Sequence, residues 1–72
     1  MGKLTQKSLS NDSIRLKKLR MKLNMTQRLL AAEFYVSPGA IALWENGDRQ
    51  IPGPVRKLIE IYGRLAGEDD AD

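Results

Sequence analysis

Apolar residues recur at three- and four-residue spacings along the chain, and no stretch keeps the apolar–polar alternation of a strand. Leu16, Leu19 and Leu23 share one face of a first helix, preceded by three residues able to cap it, Asn11, Asp12 and Ser13. Asn24 suits the left-handed residue that ends it, so the pattern predicts a helix over about 13–23. Thr26 caps a second, shorter helix over about 27–34, with Leu30, Ala31 and Phe34 inward. Ser37-Pro38 is a stronger start signal: a hydroxyl cap, then proline where its missing N–H costs nothing. The third helix covers about 38–46, turns Ile41, Trp44 and Ala40 inward, and stops at Asn46-Gly47-Asp48. A loop through Pro52 then leads to a fourth helix over about 54–65, with Val55, Leu58, Ile59, Tyr62 and Leu65 on its inner face.

These elements divide the chain into a flexible basic arm (1–12), a helical domain (13–66) and an acidic tail (67–72). The fold class is all-α, a compact four-helix bundle with connections too short for much topological freedom. Only Tyr35, Val36 and Ser37 separate the second helix from the third. So short a link forces a sharp crossing, which is the geometry of a helix-turn-helix unit.

Charge sharpens this picture. Residues 1–22 hold seven basic side chains against Asp12 alone, whereas Glu68, Asp69, Asp70 and Asp72 put four acids at the end. A basic body points to an anionic partner, nucleic acid first. The chain has neither Cys nor His, which removes disulfides, thiolate metal sites and the commonest general base. No paired carboxylates or phosphate-cradling glycine loop suggest catalysis, so the reading is a protein that is not an enzyme and needs no cofactor and no metal. No apolar run approaches the roughly 18 residues of a membrane span.

The run TQRLLAAEFYVSPGAIALWENGDRQIP resembles the Cro and phage-repressor helix-turn-helix family, the XRE type. Thr26-Gln27 opens the second helix, Leu30-Ala31 stands at the crossing and Val36-Ser37 at the turn. Ile41, Trp44-Glu45-Asn46-Gly47, Arg49 and Pro52 follow at the family's spacing, and the likeness covers about residues 14–65. It implies a lambda-repressor-like DNA-binding domain whose second unit helix enters the major groove of double-stranded DNA. It places Thr26, Gln27, Asn46 and Arg49 against phosphates, the first two because a helix N-terminus suits an anion. It turns Ser37, Pro38, Gly39, Ala42 and Leu43 toward the groove. It joins Arg20 to Glu45 in an ion pair tying the first helix to the end of the third. Trp44 points inward in this arrangement, and its indole N–H wants a carbonyl partner.

Two positions depart from the family. Tyr35 stands where glycine is common, at a turn of positive φ that costs a tyrosine about 1–2 kcal/mol. The groove-facing set contains one polar side chain, Ser37, so phosphate contacts and DNA shape carry the affinity, with Ala42 and Leu43 left to meet thymine methyls.

The resulting expectation is a cytoplasmic, nucleoid-associated transcriptional regulator that binds as a homodimer, with Ile61, Arg64 and Leu65 at the dimer surface. Lys3 and Lys7 of the arm add DNA contacts, and the acidic tail competes with DNA for the basic surface. The other reading is an adaptor that docks a protein partner on the apolar face of the third helix.

Overall fold

The computed structural model describes residues 10–67 and contains four helices: α1 (Asn11–Lys22), α2 (Gln27–Phe34), α3 (Pro38–Asn46) and α4 (Gly53–Leu65). No strand occurs among the described residues. The arm lysines Lys3 and Lys7 and the tail Glu68 to Asp72 lie outside them.

Each of the first three helices starts at a side-chain cap. Ser10 Oγ accepts the Ser13 N–H, Thr26 Oγ1 accepts that of Leu29, and Ser37 Oγ accepts that of Ala40. The α1 cap corrects the sequence reading by two residues. Asn11 and Asp12 are in the helix rather than the arm, because Ser10 satisfies the first-turn donors before they are needed as caps. The fourth helix opens on Pro52 with no side-chain cap and carries proline in its first turn.

The helix ends follow the expected chemistry. Asn24 (φ 61) and Gly47 (φ 80) turn the chain through the left-handed region after α1 and α3. Tyr35 does so after α2, at φ 60 and ψ 43, with its side chain 94% exposed. Nothing in that exposure offsets the backbone cost of about 1–2 kcal/mol for a residue with a Cβ. Tyr35→Gly should therefore stabilise the fold, by about 1 kcal/mol after the extra entropy of the unfolded glycine is deducted. In thermal melts this is a rise of about 4–8 °C; an unchanged or lowered midpoint would show that the exposed ring contributes more than its turn costs.

The core is Leu16 and Leu19 from α1, Leu30, Ala31 and Phe34 from α2, Ile41 and Trp44 from α3, and Val55 and Ile59 from α4, closed by Ile51 from the loop. Helix α3 packs on α2 and α1, and α1 also packs on α4. Leu65, expected inward, is 79% exposed. It lies six residues past Ile59, about 240° round the helix from the buried face. Along the edge of α4, Tyr62 meets Phe34 edge-on with ring centroids 5.3 Å apart and donates its hydroxyl to Glu33 at 3.0 Å. That hydrogen bond, with smaller help from desolvation and the Glu33 charge, raises the Tyr62 pKa above the ordinary phenol value.

Candidate nucleic-acid interface

The helix-turn-helix unit is α2 and α3 joined by Tyr35, Val36 and Ser37, and the residues singled out for DNA fall into three places on it. Thr26 and Gln27 open α2. Thr26 is exposed and spends its hydroxyl oxygen on the Leu29 N–H, leaving the first-turn N–H groups of Gln27 and Arg28 without an intrahelical acceptor. Those donors, with the positive end of the helix dipole, favour an anion there.

Asn46 and Arg49 sit at the other end of α3. Asn46 is its last residue and is exposed. Arg49 is exposed in the following loop, whose course is fixed by Asp48 and Arg49 N–H donating to the Leu43 carbonyl at 2.9 and 3.3 Å. A small cleft gathers Arg49 and Gln50 with Gly47 and the start of α1 at Ser10 and Ser13.

The third place is the outer face of α3. Ser37, Pro38 and Gly39 are exposed, whereas Ala42 and Leu43 are half-buried. The Ser37 oxygen accepts from Ala40 N at 3.1 Å, so the single polar group of this face is engaged in capping. A Cβ on Gly39 would meet only Ser37 Oγ, at 4.0 Å, so no packing demands a glycine there. The side chain least able to read a base thus stands where a larger one has room.

A buried polar network holds these places together. Arg20 Nε donates to Glu45 Oε2 at 2.7 Å and Arg20 Nη2 to Oε1 at 3.1 Å, with side-chain exposures of 17% and 3%. Arg20 Nη1 also donates to the Met25 carbonyl at 3.1 Å. The hydrogen bond to Glu45 raises the Arg20 pKa, opposed by its burial, so the guanidinium remains charged. Gln27 Nε2 donates to Glu45 Oε1 at 3.1 Å. One carboxylate therefore links α1, the start of α2 and the end of α3. Burying such a pair does little for net stability, but its geometry fixes how the helices meet.

Residues 16–63 match the family described as helix-turn-helix. The chain belongs to it, as a member of the Cro and phage-repressor (XRE) type. No curated protein and no solved structure matches the chain. The family is one of DNA-binding proteins rather than enzymes. No helix of this helix-turn-helix protein, among its described residues, is long and apolar enough to cross a membrane.

Sequence reasoning missed three features of the site. Ser13, read as a potential cap, is buried and donates its hydroxyl to the Trp44 carbonyl at 2.7 Å, pinning α1 to α3. Gln27 joins the ion pair, though it stands 18 residues from Glu45. The Trp44 indole is buried as expected but finds no carbonyl: its Nε1 has no hydrogen-bond partner among the described residues. Only the last of these has a sequence signal, since a buried tryptophan in so small a core has few free acceptors near it.

Proposed function

We propose that the chain is a transcriptional regulator that sets α3 in the major groove of duplex DNA, with Thr26 and Gln27 at a phosphate beside the start of α2 and Asn46 and Arg49 at one beyond α3. The observation that supports it best is the pairing of an open α2 N-terminus with an exposed Pro38–Gly39 end of α3, within one family-matched unit. The face of α3 offers Ser37, Pro38, Gly39, Ala42 and Leu43 to the groove, so affinity rests mainly on the backbone and on DNA shape. Two copies bind as a dimer on half-sites about 34–36 Å apart, in the cytoplasm and on the nucleoid. Ile61 and Leu65, 41% and 79% exposed on α4, supply apolar surface for that dimer beside Arg64.

Selection of bound duplexes from a random library at near-physiological salt tests this reading. An enriched inverted repeat is the expected result; retained DNA with no enriched motif removes the sequence-specific dimer, and no retained DNA removes the regulator. Leu43→Arg separates the adaptor reading. A cation added to the groove face is expected to maintain or raise non-specific DNA binding, whereas a protein docked on α3 would be lost. The half-burial of Ala42 and Leu43 favours DNA, since the exposed large apolar residues among those described lie on α1, α2, α4 and the turn at Tyr35, and none on α3.

A further inference from the structure

The four residues assigned to phosphates, Thr26, Gln27, Asn46 and Arg49, carry one positive charge between them. Duplex DNA presents a negative charge about every 1.7 Å, and binding that rests on its backbone needs more cations than that. The described cations of α4 are all paired, whereas Arg15, Lys17, Lys18, Lys22, Arg28 and Arg49 form no ion pair among the described residues. In the cleft between α1 and α4, Arg56 pairs with Asp12 at 3.5 Å and Lys57 with Glu60 at 3.5 Å. Farther along α4, Arg64 pairs with Glu60 at 2.7 Å.

The opposite side of α1 is different. A groove of about 410 Å³ runs between it and the end of α3, with Asn46 on one wall and Lys17 and Lys18 on the other. Both lysines are exposed, and neither forms an ion pair among the described residues. Among the described residues the only carboxylate lining the groove is Glu45, which is answered by Arg20 and Gln27. Ile14 and Met21 flank the lysines, and apolar walls of this kind strengthen the field between like charges and an approaching anion.

We propose that Lys17 and Lys18 hold two successive backbone phosphates of duplex DNA, continuing onto α1 the strand that Asn46 meets at the end of α3. This rests on the regulator reading and adds α1 to its DNA surface. It places the missing charge beside an uncharged contact, so that Asn46 sets register and the lysines supply counterion release.

The test is fluorescence anisotropy with a mixed-sequence duplex from about 0.05 to 0.2 M salt. The Lys17→Gln, Lys18→Gln double variant should lower the slope of log affinity against log salt by about 2, roughly one per phosphate contact, and weaken all sequences alike. Lys17→Arg, Lys18→Arg should restore the slope. Arg56→Gln, a cation lost from α4 outside the groove and away from the residues assigned to the dimer, should leave it unchanged. An unaltered slope in the glutamine double variant, while the unsubstituted protein binds, overturns the proposal and leaves the groove to an acidic protein segment. An equal loss per charge in Arg56→Gln also overturns it, as an effect of net charge alone. Failure of the unsubstituted protein to bind DNA is seen before any variant is made, and removes the regulator reading together with this one.

Discussion

Glu45→Ala is expected to abolish cooperative folding near room temperature. The Glu45 side chain is 3% exposed and accepts from Arg20 twice and from Gln27 once. Without it the largely buried guanidinium keeps only the Met25 carbonyl, and the Gln27 amide loses its acceptor. Removing one partner of a buried pair costs about 3–5 kcal/mol. Arg20 retains 17% exposure, which puts this case near the lower end, about 3 kcal/mol. A core of this size supplies only about 3–5 kcal/mol in total, so the loss and the reserve are comparable. Glu45→Gln keeps the volume and one acceptor, and should cost about 2 kcal/mol.

The informative comparison is the double replacement of Arg20 and Glu45 by methionine. It leaves no uncompensated charge and should recover most of the stability. Urea and thermal melts followed by circular dichroism measure all three. A cooperative melt for Glu45→Ala within about 5 °C of the unsubstituted protein, a loss near 1 kcal/mol, would mean that water reaches Arg20 and that the pair is structurally idle.

The four helices were legible because their ends carry chemistry that acts locally. Thr26, Ser37-Pro38, Asn24 and Gly47 each act on backbone groups within one turn, so sequence neighbours suffice to place them. The start of α1 was misplaced because Ser10, Asn11, Asp12 and Ser13 are all competent caps. The choice of Ser10 depends on Ser13 being drawn inward to the Trp44 carbonyl, 31 residues away. Ile51 shows a second limit: a loop residue has no periodicity, so its burial over the core left no signal. Leu65 shows the reverse, an apolar residue in a helical run whose angle, rather than its type, decides exposure.

The site divides in the same way. The Arg20–Glu45 pairing came from family likeness and not from spacing, because 25 residues of intervening chain bring the two together only once α1 and α3 are packed. That Gln27 enters the same network was not legible at all. Its position suits both a phosphate and a side-chain acceptor, and only the folded helices show that its amide turns to Glu45. The lack of base-reading side chains on α3 was plain from composition. That Ser37 also spends its oxygen on a cap became clear only from the structure.

Gln27→Glu tests whether this network and the phosphate site act as one, and is expected to weaken DNA binding by at least about 100-fold at neutral pH while leaving the helices formed. Two effects of opposite sign meet at this position. For the isolated helix, an acid in the first turn of α2 is favourable, by about 0.3–1 kcal/mol. For the complex, a carboxylate takes the place assigned to a phosphate, and like charges brought together at an interface cost several kcal/mol. Since about 1.4 kcal/mol is tenfold in affinity, the second effect dominates binding. The new carboxylate also lies beside Glu45 Oε1, now 3.1 Å from the Gln27 amide nitrogen. Desolvation and the like charge both push its pKa up, so protonation begins above the ordinary glutamate range. The sign of the pH response follows. Binding by the variant should recover as pH falls through that raised pKa, when the group becomes neutral, and be lost as pH rises through it. The unsubstituted protein has no titrating group at this position and should bind evenly over the same window. Anisotropy titrations of both proteins at stepped pH and fixed salt make the comparison. Equal affinities at neutral pH would place the phosphate away from the start of α2 and leave Gln27 a purely structural partner of Glu45.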